Sequence, residues 1–326
     1  MASYHIVQET FDTLASGWEA LLSQSRSNTV FATPTWLRLW WDQLSDHHEM
    51  LLFGVQEERQ LIAVAPLKRK NGQVSFIGSP NVCDYMDFIV KEGQDREVYE
   101  ALADHLLALE WDALCLNGIA ADSPTMAYLP DLLKERGITA TVRPEEVCPK
   151  IDLPSTWDEY LGQLSKKNRH ELRRKMRRLY SAGDVRYYVA AECNGYSKDL
   201  EEFLSLLTNS RADKALFMTR EIKDFFQSVV PGMAEQGIAR LSFLELDGKR
   251  VSSVICFDYN DSYYLYNSGY DTEYASLSVG LLLKVLCLKE AIEAGKKQFN
   301  FLRGSEVYKY RLGAVDEVIY TISATR

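Results

Sequence analysis

The sequence offers little that could hold a metal ion. Its five histidines form no base or metal pair, and His47-His48 sits in a polar loop after a helix. The six cysteines (Cys83, Cys115, Cys148, Cys193, Cys256, Cys287) are scattered without CxxC spacing, so no metal is expected and buried, unpaired thiols are. Long apolar runs are missing too. No segment approaches the roughly 18 apolar residues of a membrane span, and the first residues show no basic region followed by an apolar run, which points to a cytoplasmic protein. Positive charge is also short. A formal net charge of −9 argues against DNA binding and general nucleic-acid affinity, and leaves only a local basic site. What is present is enough for two domains of ordinary size: 326 residues, 46% of them hydrophobic.

Residues 241–314 hold the clearest pattern. Apolar and small or polar residues alternate over 241–246 and 251–259 around Asp247-Gly248-Lys249, and 262–266 follows Asn260-Asp261, which predicts a three-strand antiparallel meander. Residues 277–294 read as a helix with Leu281, Leu282, Val285, Leu288 and Ile292 on one face and Gly295 as its stop. Residues 298–302 read as a buried strand parallel to the one before the helix. The order of elements repeats upstream: strands at 51–55, 61–67 and 74–77, a helix over 96–109 and a strand over 111–117. Shifted by 190 residues, Glu57-Glu58-Arg59-Gln60-Leu61 overlays Asp247-Gly248-Lys249-Arg250-Val251. The expected architecture is therefore α/β with mixed sheets, two copies of one meander–helix–strand unit. Their domains are placed at 1–152 and 153–326, joined near 149–154 by a strand and a linker. Before the first meander, Tyr4–Gln8 reads as a strand, 18–22 as a helix, and Pro34–Leu44 as a helix opened by Thr33 and Pro34. In that last helix Trp36 and Trp40 share a face, as a core anchor or as a stacking surface.

The second copy opens with the least balanced stretch. Over 165–179, Leu164, Asn168, Leu172, Met176 and Leu179 make one apolar stripe, while eight lysines and arginines against Glu171 give a local +7 and leave −16 on the remainder. Lys166, Arg169, Arg173 and Arg177 share a stripe of their own. Concentrated like charge suits either a polyanion such as a nucleotide phosphate or an acidic surface of the protein itself.

Several segments carry a family resemblance: Val30-Phe31-Ala32-Thr33-Pro34-Thr35-Trp36, Asp84-Tyr85-Met86-Asp87, Leu164 through Arg174, Arg211 with Lys214, Gly269-Tyr270-Asp271, and Gly304-Ser305-Glu306-Val307-Tyr308-Lys309. In this order they resemble the GNAT acyltransferase superfamily, specifically its two-copy CelD-like acetyltransferase branch, related to the FemABX-type aminoacyl transferases. The sequence differs from the branch at Ser278-Val279-Gly280, where Ser-Pro-Gly is common, and at Asn300, where an acidic residue is. The resemblance implies a tandem GNAT fold and transfer of an acyl group, acetyl-CoA being the donor, to an amine or hydroxyl of a small molecule such as a sugar or cell-envelope precursor in polysaccharide biosynthesis. It implies a gap between the third meander strand and the next strand, where the pantetheine arm lies, with Asn267, Gly269, Tyr270, Ser278 and Gly280 binding the cofactor. Lys309, Tyr308 and Asp271 become the catalytic candidates, and Asp84, Tyr85, Asp87, Arg169, Arg173 and Arg211 the acceptor-binding ones. Plainer roles stand beside these: loop capping for Asp84, Asp87 and Asp271, packing beneath a strand at 318–322 for Tyr308, a surface ion pair for Lys309. Aminoacyl transfer from tRNA, as in the FemABX relatives, is the alternative activity, and a degenerate fold that only binds a partner is the alternative class.

Overall fold

The computed structural model describes residues 4–190 and 197–326, so Cys193 lies outside the described residues. The chain divides into two compact units, Met1–Val147 with Glu317–Arg326, and Cys148–Asp316.

In the first unit β1 (Tyr4–Gln8) leads into α1 (Phe11–Leu22), which starts at a capping box between Thr10 and Thr13 and so begins earlier than the pattern at 18–22 suggests. Helix α2 (Pro34–Leu44) opens as expected, with the Thr33 side chain accepting from Trp36 N–H. Trp36 and Trp40 are buried, the core role of the two considered. The meander is β2 (Glu49–Glu57), β3 (Gln60–Lys70) and β4 (Gln73–Phe76), followed by β5 (Ile89–Val90), α3 (Asp95–Ala108), β6 (Ala113–Ala120), α4 (Pro124–Glu135) and β7 (Thr141–Val147).

The second unit runs β8 (Lys150–Asp152), α5 (Trp157–Gln163), α6 (Lys166–Tyr180), β9 (Val185–Val189), α7 (Ser197–Ser210), α8 (Ala212–Phe217), α9 (Arg220–Ala234), β10 (Ala239–Leu246), β11 (Lys249–Tyr259), β12 (Ser262–Tyr270), α10 (Val279–Glu293), β13 (Gln298–Asn300) and α11 (Val307–Arg311). The last strand is β14 (Val318–Thr325). Two-residue turns with positive φ at Asp247-Gly248 and Asn260-Asp261 close the hairpins of the meander, the left-handed backbone that Gly, Asn and Asp tolerate best. The parallel step predicted after the meander is present in both units, as β12–β13 and as β4–β6.

Strand order is β1-β2-β3-β4-β6-β14-β7 in the first sheet and β8-β13-β12-β11-β10-β9 in the second. The chain thus exchanges strands. β14 pairs antiparallel with β6 and β7 of the first unit, and β8 pairs antiparallel with β13 of the second. A single boundary at 152/153 does not describe this arrangement, because a period-2 strand pattern says nothing about which sheet receives the strand. Helix α10 departs from its expected single face in an informative way: Val279, Leu283 and Cys287 are buried along with Leu282, Val285, Leu288 and Ile292, while Leu281 is only half-buried. It touches the sheet through β10, β11 and β12 and helices α5 and α6 as well, so it is a central helix, apolar around most of its girth.

Candidate functional site

The second sheet opens where a meander strand and its parallel neighbour part. Strands β12 and β13 pair only at Ser262↔Gln298, Tyr263↔Phe299 and Tyr264↔Asn300. There β13 ends: Asn300 Oδ1 accepts from Leu302 N–H at 2.8 Å and Leu302 takes a left-handed φ of 58°, turning the chain away. Strand β12 continues to Tyr270, and a register shift between Ile255 and Cys256 of β11 leaves Tyr266 without an opposite residue, the mark of a bulge. Past Tyr264 one edge of β12 therefore faces a gap instead of a strand.

The lining of that gap differs from the roles expected of several residues. Lys309 was expected to serve the reacting carbonyl or thiolate; it is 1% exposed, and its ammonium donates to the carbonyls of Leu302 (2.9 Å), Arg303 (2.7 Å) and Gly304 (2.8 Å) and pairs with Glu306 at 2.9 Å. All three of its protons are engaged in holding the turn that follows β13. Burial alone would raise the Glu306 carboxyl, but the hydrogen bond and charge of Lys309 outweigh it and hold it below its ordinary range. The strand expected over Tyr308, β14, belongs to the other sheet; Tyr308 meets Phe301 edge-on at 6.1 Å, and the Lys284 ammonium sits 5.3 Å from its ring centroid. Burial raises the Tyr308 hydroxyl above its ordinary pKa, so it keeps its proton. Asp271 caps the 3-10 turn Thr272–Leu277 by accepting from Glu273 N–H at 3.0 Å, and it pairs with Lys249 at 2.9 Å, whose hydrogen bond holds its carboxyl low. That is the loop-capping role and not that of a base.

The residues expected around the cofactor do come together. Asn267 Oδ1 accepts from Ser268 N–H at 2.9 Å and lies 3.4 Å from Lys214 Nζ, which also donates to the Ser268 carbonyl. Gly269 is required by packing: a Cβ there would lie 2.2 Å from Leu207 N, because the α7 backbone rests on this strand. Gly280 leaves room for the Tyr270 ring, 2.8 Å from where its Cβ would stand. Ser278 adopts a left-handed φ of 62° at the start of α10, without a side-chain cap, and its hydroxyl accepts from Lys175 Nζ at 2.7 Å. The first turn of α10 thus faces a lysine, the setting that suits an anion.

The basic helix divides its charges. Leu164, Leu172 and Leu179 are buried and Asn168 and Met176 half-buried, as the stripe predicts. Arg169 is turned inward, donating to the carbonyls of Leu161 (3.1 Å), Gly162 (3.3 Å) and Leu164 (3.4 Å), so it closes the end of α5 and is not available as a substrate arm. Arg211, another expected contact, forms a two-pronged pair with Asp213 at 2.9 Å. Arg173 is exposed. Lys166, Lys167, His170, Arg174 and Arg177 of α6, together with Arg311, line an open groove of about 860 Å³. Among the described residues the acidic partner of α6 is its own Glu171, bound to Arg174 and Lys175; a covering acidic surface is not what explains the charge.

Asp84, Tyr85 and Asp87 belong to the first unit. Tyr85 is buried and its hydroxyl donates to Glu317 at 2.7 Å; Asp84 is half-buried. Asp87 accepts from the hydroxyls of Ser27, Ser123 and Thr125 and from Phe88 N–H, and burial still pushes its carboxyl up to about 6. A carboxylate so fully engaged holds three segments together and is not free to bind an acceptor. The parallel step of this unit is covered over: Met86 N–H donates to the Gly118 carbonyl at 3.0 Å, Lys68 Nζ donates to the carbonyls of Phe76 and Gly78, and Val82, Cys83, Met86 and Phe88 are buried.

Sequence reasoning passed over Lys284. Its signal was a lysine amid the apolar residues of 279–288, with Gly280, Leu283, Cys287 and Leu288 buried around it.

Residues 166–310 match the family of acetyltransferase (GNAT) domains, so the second unit carries a GNAT-family acyltransferase domain. No curated protein matches significantly. Among solved structures, FemX superposes with a TM-score of 0.69 at 13% identity, over 97% of this chain and 96% of that one. L-PGS from Bacillus licheniformis gives 0.58 at 13%, over 95% and 91%, and the tandem GNAT protein from the clavulanic acid biosynthesis pathway 0.56 at 10%, over 99% and 98%. At such identities these likenesses establish the tandem GNAT fold.

Proposed function

We propose that the second unit transfers an acyl group, acetyl in the first instance, from an acyl-CoA thioester to an amine or hydroxyl of a small molecule such as a sugar or cell-envelope precursor. The observation that carries this reading is the parting of β12 from β13 after Tyr264 and Asn300. It leaves a strand edge along which an extended, amide-bearing pantetheine arm fits as a strand would. The first turn of α10, with Ser278 and Lys175, is then placed for the pyrophosphate. The acceptor's nitrogen or oxygen attacks the thioester carbonyl and gives up its proton, the C–S bond breaks, and the CoA thiolate takes a proton, so the exchange is neutral overall. Tyr308, kept protonated by burial, is the candidate donor. Lys309 acts on this chemistry through the loop it holds. In the first unit the corresponding opening is covered by its own 77–88 segment, which is why the donor is assigned to the second.

Titration of the folded protein with acetyl-CoA by calorimetry, followed by release of CoA thiol in the presence of small amines, tests the reading. Absence of acetyl-CoA and CoA binding would overturn it and favour a fold that only binds a partner. The basic groove of α6 supports a second reading, aminoacyl transfer from charged tRNA, for which loss of activity on ribonuclease treatment is the discriminating result.

A further inference from the structure

We infer that Lys214 and Lys284 form a binding site for an oxyanion, a carboxylate or phosphate carried by the acyl acceptor close to its nucleophilic amine. The assignment to the acceptor rests on the acyl-transfer reading; the oxyanion site itself rests on geometry. Lys214 comes from α8 and Lys284 from α10. Lys214 Nζ touches the Ser268 carbonyl and Asn267 Oδ1, and Lys284 Nζ donates to the Gly280 carbonyl at 3.0 Å. Neither has a carboxylate partner among the described residues, whereas Lys249, Lys296, Lys297 and Lys309 of the same unit each have one.

The charges around the pair cancel without them. At the start of α8, Arg211 is paired with Asp213; at the start of α11, Glu306 is paired with Lys309. Tyr308 is neutral, and so is Cys256 of β11, whose thiol burial pushes up. Two half-buried lysines are left without a countercharge, and their charged forms repel each other. Burial and then Arg211 lower Lys214 to about 8, and burial and then Lys214 lower Lys284 to about 7. Holding two like charges in this way costs stability and brings nothing to the protein by itself. An oxyanion between them accepts their unspent protons, and the Asn267 amide nitrogen, which has no partner among the described residues, is a further donor. Lys214 sits beside Asn267-Ser268 on the open stretch of β12, and Lys284 beside the Gly280 carbonyl and over the Tyr308 ring; the donor's phosphates are assigned to the start of α10 at Ser278 and Lys175.

An anion that restores both lysines toward their ordinary values makes them take up protons on binding, about one in total at pH 7.5, since one group is then mostly charged and the other mostly neutral. Three amines of equal spacing serve as probes: β-alanine, O-phosphoethanolamine and ethanolamine, each titrated calorimetrically into the whole protein in two buffers of different ionisation heat. Binding with uptake of about one proton is expected for the carboxylate or the phosphate, and whichever binds more tightly identifies the source. Ethanolamine is expected to bind without uptake, if at all. Lys214→Met and Lys284→Met should each weaken the anionic probe about tenfold or more. Equal behaviour of the three amines, no binding of either anion, or wild-type affinity in both variants overturns the site. Should the variants fold poorly, NMR titration of isotopically methylated lysines in the wild-type protein decides: two ammoniums titrating near 10.5 without ligand overturn it. Acetyl-CoA binding is scored separately. A protein that binds the anions with proton uptake but not acetyl-CoA keeps the oxyanion site and loses the acyl-transfer reading; the reverse pattern removes only the site.

Discussion

Replacing Lys309 by Met keeps the length of the stem and removes the ammonium. In the structure that ammonium is almost inaccessible and meets three carbonyls, of Leu302, Arg303 and Gly304, and the Glu306 carboxylate. Its loss strands the three acceptors and the carboxylate together. Hydrogen bonds to a charged group contribute about 1.5–3 kcal/mol each, but they share one donor and do not add, so the fitting comparison is a buried pair robbed of one member, about 3–5 kcal/mol. With a urea slope of about 2 kcal/mol/M the midpoint should fall by roughly 1.5–2.5 M. Unfolding is best followed by hydrogen exchange in residues 148–316, so that this unit is read by itself, with faster exchange over 299–313 expected first. Turnover should drop with the loop's order. A variant of wild-type stability, with turnover alone reduced about a hundredfold, would refute this reasoning and return Lys309 to the reacting centre.

Asp87 should make the first unit less stable as pH rises. Its folded pKa of about 6 lies above the unfolded 3.8, so the folded state holds more protons between these values and stability declines from about pH 4 through pH 6, by roughly 2–3 kcal/mol. Asp87→Asn should flatten that slope in urea unfolding between pH 4 and 8, and a flat wild-type profile would show the expectation to be mistaken. Gly269→Ala forces a Cβ against the α7 backbone, 2.2 Å from Leu207 N, and should cost about 1–3 kcal/mol. Gly280→Ala meets only the Tyr270 ring edge and should cost less, so equal losses in thermal unfolding would contradict the geometry. Arg169→Ala should fray the end of α5 and reduce stability by about 1–2 kcal/mol. Arg173→Ala, on the exposed face, should leave stability unchanged while weakening heparin binding and flattening its salt dependence; equal stability of the two variants would count against the different roles.

Local chemistry made much of the fold legible. Asp247-Gly248 and Asn260-Asp261 announce left-handed turns that the structure contains, and alternation between them fixes strands within a few residues. The helices over 197–234 went unread, although Asn194-Gly195 and Gly237 frame them in the sequence and Phe203, Phe225 and Phe226 end up buried there. The site was harder. The resemblance names Gly269 for the cofactor, whereas the neighbour that presses on it is the last turn of α7 at Leu207. Lys309 and Lys284 are the same residue type, and what separates a clamp from an unpaired cation is which carbonyls the tertiary fold brings within reach. That depends on contacts far apart in the chain, which spacing does not encode.

The exchanged strand sets a schedule for synthesis. β14 occupies the place between β6 and β7, so a nascent chain that has already made both must wait until residues 318–325 emerge. At about 5–20 residues per second the interval is roughly 9–36 seconds. During it the inner edges of β6 and β7 are open templates for a neighbouring chain on the same messenger. The two are unequally guarded. β7 carries Arg143, Pro144, Glu145 and Glu146 in its middle, residues that discourage a stray strand, while β6 reads Ala113-Leu114-Cys115-Leu116 with no charge. Aggregation of ribosome-bound chains should therefore begin at β6.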